Sequence, residues 1–353
     1  MSSSHAIETF ASCRISPVGA HTDHQGGLTL GLALREGIRF QGSSAEGTSS
    51  SLTSRGHEGI CTLTESAVSS PLWQRLLTGL RERLHARVPL SRGIEGHLCS
   101  DLASGGVATS AAVQVVVARA LLAANAVSFP SHDLMQLICA NERAVTGAPV
   151  GVLDPAVILE GREGELVVVD AADGSCKKHR FSRRFPKHEW ALVDVGVPRV
   201  LGETPYAARV EECRRAAEFL GSTSGRLGEL SLPALRKRRG AMSPELVKRA
   251  EHYFGEVRRV RLAISAAAEG DLAAFAAIMN ASADSLTQLF EVGVPETVRA
   301  LAHLREVPRV LAVTYAGGGF GGHLLCLVEA GGTGALGLAA SERGMQARAI
   351  HPL

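Results

Sequence analysis

Arg14-Ile15-Ser16-Pro17-Val18-Gly19-Ala20-His21-Thr22-Asp23-His24-Gln25-Gly26-Gly27 is the stretch from which the rest of the chain can be read. Asp, His and a Gly-Gly pair are good loop residues, so the plainest reading of His21 and Asp23 is a turn. Three further segments follow in order: Gly105-Gly106-Val107-Ala108-Thr109-Ser110-Ala111-Ala112, then Gly151-Val152-Leu153-Asp154, then Ala316-Gly317-Gly318-Gly319-Phe320-Gly321-Gly322.

The second segment has a physical reading of its own. Consecutive backbone N–H groups in a Gly-rich turn form a concave anion site, and a helix that follows adds its positive N-terminal dipole. Residues 104–110 fit that description, and Ala111 to Asn125 is an Ala/Val/Leu-rich stretch long enough for a buried helix. An ordinary loop before a core helix would look the same. The pattern G-x-x-x-x-G-K-[ST] does not occur, so this is not a P-loop of the common kind.

At 353 residues the chain is too long for one typical domain, and its 45% apolar content supplies a large core. A boundary near residue 190 is expected, giving 1–190 and 191–353. The net charge of +2 implies neither nucleic acid nor an anionic membrane as partner. Arg183-Arg184 and Arg236-Lys237-Arg238-Arg239 are short and read as solvated faces. No apolar run reaches the ~20 residues of a membrane span, and the N-terminus lacks a signal-peptide pattern, so a cytoplasmic protein is expected. Seven cysteines without a C-x-x-C pair suggest neither a disulfide framework nor a zinc site. Cys99, Cys139 and Cys326 read as small core residues. The thirteen histidines lack metal-ligand spacing.

Gly42 to Ser54 reads as a mobile surface loop and Pro71 to Val88 as a helix. Glu165 to Asp170 and Ala191 to Val197 are strand candidates, with Lys177 to Trp190 a solvent-covered connection between them. Tyr206 to Leu220, Pro244 to Ala268 and Leu272 to Phe290 read as helices. Arg309 to Thr314 and Leu324 to Glu329 read as strands flanking the last glycine turn. The order fits an α+β chain, with a site in the cleft between domains.

From about Arg14 to Glu329 the four segments resemble the motifs of galactokinase-type members of the GHMP kinase superfamily. The resemblance implies a two-domain α+β fold and a site in the interdomain cleft. It implies an ATP- and Mg²⁺-dependent enzyme that phosphorylates the anomeric hydroxyl of a sugar. By that resemblance Asp154 would take the hydroxyl proton, while Arg14 would lower its pKa and stabilise charge on the transferring group. Ser104, Gly105, Gly106, Val107, Ala108, Thr109 and Ser110 would surround the ATP phosphates, and Ser110 with Glu142 would hold Mg²⁺. Glu142 lies twelve positions before Asp154, as the family's metal-binding glutamate does. His21 and Asp23 would bond ring hydroxyls, and Tyr206 in Pro205-Tyr206-Ala207-Ala208-Arg209-Val210-Glu211-Glu212-Cys213 would sit at the sugar. Read alone, Glu142 is a solvated helix charge and Tyr206 an amphipathic surface aromatic.

The departures are informative. Galactokinases read Gly-Glu-His-Thr-Asp-Tyr across the first signature, the glutamate contacting the C6 hydroxyl; this chain has Ala20 and His24 instead. The pattern Gly-Ala-His-x-Asp-His-Gln-Gly-Gly resembles plant-type galacturonokinases, as does Lys248-Arg249-Ala250-Glu251-His252-Tyr253-Phe254. A glutamate about 4 Å from a C6 carboxylate would cost on the order of 4 kcal/mol at an effective dielectric near 20, and alanine removes it. A small residue also suits other C6 substituents. Arg209 and His24 are candidates to pair with the acid. Trp73 is a candidate for the nucleotide pocket or else simple core. Pro155 stands where the family has glutamine, Ala108 replaces a serine, and Ser104 replaces a glycine. D-Galacturonate is therefore the expected substrate, with galactose or a related monosaccharide as alternative and a non-catalytic sugar sensor as the other. Sugar and ATP are the expected partners, and the chain a monomer or weak homo-oligomer.

Overall fold

The computed structural model describes residues 6–55, 57–63, 70–102, 106–198 and 205–353. Strands β1 (Ala6–Val18) and β2 (Leu28–Ser44) form a long antiparallel hairpin, so the signature turn is their connection. The pairing shifts register between Ser12 and Arg14 and again between Ile15 and Val18. Bulges of this kind re-aim side chains beside functional sites.

Among the described residues, β3 (Ser51–Ser54), β4 (His57–Thr62), β5 (Ile94–Ser100), β6 (Glu165–Asp170) and β7 (Ser175–Arg180) complete a seven-stranded sheet. Its order is β4-β3-β5-β2-β6-β7, with β1 paired to β2. Helices α1 (Leu72–His85), α2 (Thr109–Ala124), α3 (Ser131–Thr146) and α4 (Leu153–Glu160) pack on it and on one another. Helix α2 buries residues around most of its circumference, as a helix apolar on every face must.

A second, four-stranded antiparallel sheet has the order β11 (Gln346–Ile350), β8 (His188–Asp194), β10 (His323–Glu329), β9 (Val310–Tyr315). Around it lie α5 (Tyr206–Leu220), α6 (Leu232–Arg238), α7 (Pro244–Glu269), α8 (Leu272–Ser285), α9 (Pro295–Arg305) and α10 (Thr333–Ser341). Side chains alternate across a strand. Trp190, Leu192, Leu325 and Leu327 accordingly join the core of the first half, whereas Ala191, Val193, Leu324, Cys326 and Val328 join a second core. Strands β8, β9 and β10 are covered on both faces, which is why they read as largely apolar runs, whereas β11 at the edge is mostly exposed. We propose that the two domains divide near residue 190, where the chain passes from one sheet to the other.

Three expectations need correction. The segment 177–190 is not one connection: residues through Arg180 belong to β7, and β8 begins at His188. Among the described residues, strand β7 pairs with β6 alone and is largely exposed, so its charged residues hid it from an apolar pattern. The second strand was expected at 191–197 but ends at Asp194, just before Gly196 turns the chain with φ +74°. Residues 42–54 are partly strand, since β2 runs to Ser44 and β3 begins at Ser51.

Candidate active site

The turn between β1 and β2 carries its side chains on strained backbone. Gly19 has φ +88°, and a Cβ there would lie 2.6 Å from Val260. His21 also has positive φ, +62°, a region that side chains other than glycine rarely adopt. Its ring stacks on Phe290 at 4.3 Å between centroids, and its Nε2 lies 3.0 Å from the Gly318 carbonyl. Because a carbonyl only accepts, Nε2 carries the proton. Tyr206, first residue of α5, sits 5.5 Å from the His21 ring, and its hydroxyl donates to Pro149 O at 3.3 Å.

Asp23 opens a single 3₁₀ turn, and its carboxylate accepts from the backbone N–H of His24 at 3.0 Å. The backbone N–H of Leu153, at the start of α4, faces the same carboxylate and works to lower its pKa. The turn is thereby tied to the start of α4. Gly151 explains how the two approach: a Cβ at this position would lie 1.7 Å from Asp23 Oδ2.

Arg14 emerges from β1 beside the bulge and is 5% exposed. Its Nε and Nη2 donate to Asp154 Oδ1 at 2.8 and 2.5 Å, and its Nη1 to Gly106 O at 2.6 Å. Asp154 lies in the first turn of α4, where the positive end of the helix dipole favours a carboxylate. The Arg14 backbone N–H bonds Val107 O at 3.0 Å, so the glycine loop is anchored to β1.

That loop runs into α2. Ala108 takes the left-handed conformation at the helix N-cap, φ +60°, ψ +38°. Ser110 Oγ donates to Glu142 Oε1 at 2.7 Å across to α3. The late glycine turn comes down on the same loop, with a Cβ at Gly106 placed 2.1 Å from Ala316 O and one at Gly317 2.9 Å from Gly106 Cα. Only glycines permit that approach. Ser104 and Gly105 lie outside the described residues.

The structure thus gathers Arg14, Ala20, His21, Asp23, Gly106, Ala108, Thr109, Ser110, Glu142, Asp154 and Tyr206 around one cleft of about 580 Å³. Val107 is buried behind it. A cleft of this size suits a small molecule with a polar tail.

Comparison with known proteins gives the chain a family. Residues 72–162 match the model of the GHMP kinase N-terminal domain. The galactokinase of Canis lupus familiaris is 30% identical over 328 residues, covering 90% of this chain and 82% of that one. The chain belongs to the GHMP kinase family. The galacturonokinase of Arabidopsis thaliana is 28% identical over 349 residues, covering 91% of this chain and 82% of the relative. The structure of Lactococcus lactis galactokinase with galactose superposes with a TM-score of 0.87 at 22% identity, covering 99% of this chain and 94% of that one. With such relatives this GHMP kinase is a galactokinase-like sugar kinase.

The electrostatics of the kinase cleft are lopsided. Asp23, Glu142 and Asp154 face one another, and among the described lining residues Arg14 is the single Arg or Lys. Burial, reinforced by the Asp154 charge, raises the pKa of Asp23. Burial also pushes Glu142 up to about 7, with Asp154 adding to the rise and Ser110 and Arg14 opposing it. The carboxylates are short of positive charge. Ser110 and Glu142 supply two hard oxygen donors 2.7 Å apart, a set that fits a cation coordinated otherwise by water and phosphate.

Neither candidate partner for a C6 acid is an available cation. Arg209 is held by Glu212 at 2.9 Å and Glu291 at 3.6 Å. His24 is driven to about 3 by burial, with His252 as a second cause, so it is neutral; its buried Nε2 has no hydrogen-bond partner among the described residues. Trp73 packs on the first core and does not line the cleft. Sequence reading missed Ser16, Asp194 and His323, which do line it. Ser16 lay inside the quoted signature, whereas Asp194 and His323 stand at strand ends with no motif to mark them.

Proposed function

We propose that this GHMP kinase transfers the γ-phosphoryl group of ATP to the anomeric hydroxyl of D-galacturonate, giving the 1-phosphate. The observation that carries the substrate is Ala20 in the cleft wall, where a methyl group leaves room for a C6 carboxylate and puts no charge against it. An Arabidopsis relative bears the name galacturonokinase, which supports the same reading.

The chemistry follows from the pairings. Asp154 accepts the proton of the attacking hydroxyl as its oxygen bonds to the γ-phosphorus and the bond from that phosphorus to the ADP oxygen breaks. Both Arg14 bonds go to Oδ1, so they leave the lone pairs of Oδ2 for the substrate. Arg14 holds Asp154 in place and offers its charge to the phosphoryl group, the positioning and electrostatic work that dominates phosphoryl transfer. Asp23, His21 and Tyr206 orient the ring hydroxyls. Residues 106–110 cradle the nucleotide phosphates at the start of α2. Ser110 and Glu142 would hold Mg²⁺, which when bound neutralises phosphate charge.

Pro155 is compatible with catalysis. It falls in the first turn of α4, where the N–H it lacks would have no helical partner. Ala108 favours the second reading, a sugar sensor, because it deletes a hydroxyl from the phosphate loop. Asp154→Ala separates the two: the kinase reading expects ADP release to fall by at least 100-fold while titrated sugar binding persists. ADP release that is absent from the wild type with every sugar, alongside tight sugar binding, favours the sensor.

A further inference from the structure

Behind the cleft wall that carries Ala20, His21 and Tyr206 lie three separate pieces of chain: the turn 19–21, α5, which begins at Tyr206, and Phe290, which stacks on His21. One face of α7 touches the turn, α5 through Glu212, and Phe290. Arg249, His252 and Glu256 are spaced three and four residues apart, so they share a face of the helix. All three are at most 1% exposed.

Each makes a different connection. Glu256 Oε2 accepts the Gly19 N–H at 2.7 Å and the Ser282 hydroxyl at 2.9 Å, while its Oε1 accepts from Arg259 Nε at 2.6 Å. His252 Nε2 lies 3.1 Å from Ala20 O and its Nδ1 2.9 Å from Ser285 Oγ. Ala20 O can only accept, so Nε2–H donates to it and Nδ1 takes the serine proton. Arg249 Nε donates to Glu212 on α5 at 2.5 Å, and Nη2 to Glu291 at 2.6 Å, while Nη1 donates to Leu289 O. Two of the three bonds thus fall on the residues flanking Phe290.

We propose that this buried polar column is the frame that sets sugar affinity and selectivity, with His252 the positioning residue that fixes residue 20 against the C6 substituent. The inference deepens the reading of Ala20 above and rests on the same cleft. Gly19 N–H and Ala20 C=O are main-chain groups, so their bonds fix where the residue-20 side chain stands whatever that side chain is. The adjacent His21, on backbone of positive φ, is held by the same two anchors. Among the described residues, no member of the column hydrogen-bonds residues 106–110 or the Ser110–Glu142 pair; its link to the nucleotide side is indirect, through His21, whose Nε2 donates to Gly318 O.

The test uses the full chain and whichever monosaccharide the wild type phosphorylates, so a wrong sugar assignment does not blur it. His252→Leu removes the donor to Ala20 and is expected to raise the KM for sugar about tenfold and to alter the galacturonate-to-galactose preference, with the KM for ATP within twofold of wild type. His252→Gln, whose amide nitrogen can reach the same carbonyl, is expected to recover most of the loss. Equal changes in both KM values, or an unchanged sugar KM in the Leu variant, would overturn the proposal, as would a Gln variant no better than Leu. If His252→Leu does not fold, the sugar KM of His252→Gln decides against that of His252→Asn, whose shorter amide cannot span to Ala20: identical values overturn it.

Discussion

Gly151→Ala probes the geometry of the site through a single methyl group. Gly151 does not have positive φ, so alanine is not refused by the backbone. Its Cβ would, however, lie 1.7 Å from Asp23 Oδ2 and 2.1 Å from Asp23 Cγ, and contacts under 3.0 Å do not survive. The carboxylate or the 150–151 backbone must therefore move by roughly 1.3 Å, the shortfall of 1.7 Å from the 3.0 Å limit. Asp23 is bonded to the N–H of His24 and faces that of Leu153, so it cannot swing aside without disturbing these contacts. Displacement of a positioning group by about 1 Å costs on the order of 100-fold in rate, or about 2.7 kcal/mol of transition-state stabilisation. Steady-state kinetics should show that drop in kcat/KM for sugar, with the melting temperature lowered by only a few degrees. Wild-type kcat/KM in a folded Gly151→Ala enzyme would refute the assignment of Asp23 to the sugar.

Three further outcomes are expected. Ala20→Glu should weaken the uronate selectively, by up to roughly 1,000-fold if the charges stand about 4 Å apart, and equal losses for galactose and galacturonate would contradict the C6 argument. Ser110→Ala removes one of the two proposed metal ligands and should raise the Mg²⁺ concentration for half-maximal rate by at least about tenfold; an unshifted Mg²⁺ titration would remove Ser110 from that role. His24 and His252 are held by burial at about 3 and about 4, below their ordinary 6.5. The unfolded chain therefore binds protons that the folded chain refuses, so their contribution is complete above about pH 6.5 and is lost as pH falls toward 4. At pH 5 each loses on the order of 2 kcal/mol, and thermal unfolding should shift downward by several degrees between pH 8 and pH 5. A flat profile would mean that these imidazoles are not buried as described.

Much of the site was legible because its parts are local. The signature turn, the glycine loop with its helix and the Gly151–Asp154 segment each carry their chemistry within a few consecutive residues, and backbone constraints such as Gly106 against Ala316 leave a trace in composition. Helix α5, strand β6 and most of α7 were likewise visible from periodicity. What stayed hidden depends on pairing across the chain. Strand β7 is an exposed edge whose charges resemble a loop. Asp194 and His323 reach the cleft only because β8 and β10 are adjacent, with His323 opposite Asp194. The polar column of α7 looks like an ordinary charged helix until the turn 19–21 is packed on it. Arg209, attractive as a free cation beside Tyr206, is consumed by Glu212 and Glu291, which no spacing rule reveals. Glu291 shows the strength of that cluster: burial alone would raise its carboxyl, yet bonds from Lys248 and Arg249 hold it at about 2.

The central claim is that the enzyme places phosphate on the anomeric oxygen of a C6 acid. It is tested most directly by incubating the full chain with Mg·ATP and an equimolar mixture of D-galacturonate and D-galactose, and following the products by ³¹P and ¹³C NMR. The account predicts that galacturonate 1-phosphate accumulates first and in excess, with phosphorus coupled to C1. Dominant galactose 1-phosphate, or phosphate on any oxygen other than that at C1, would contradict it.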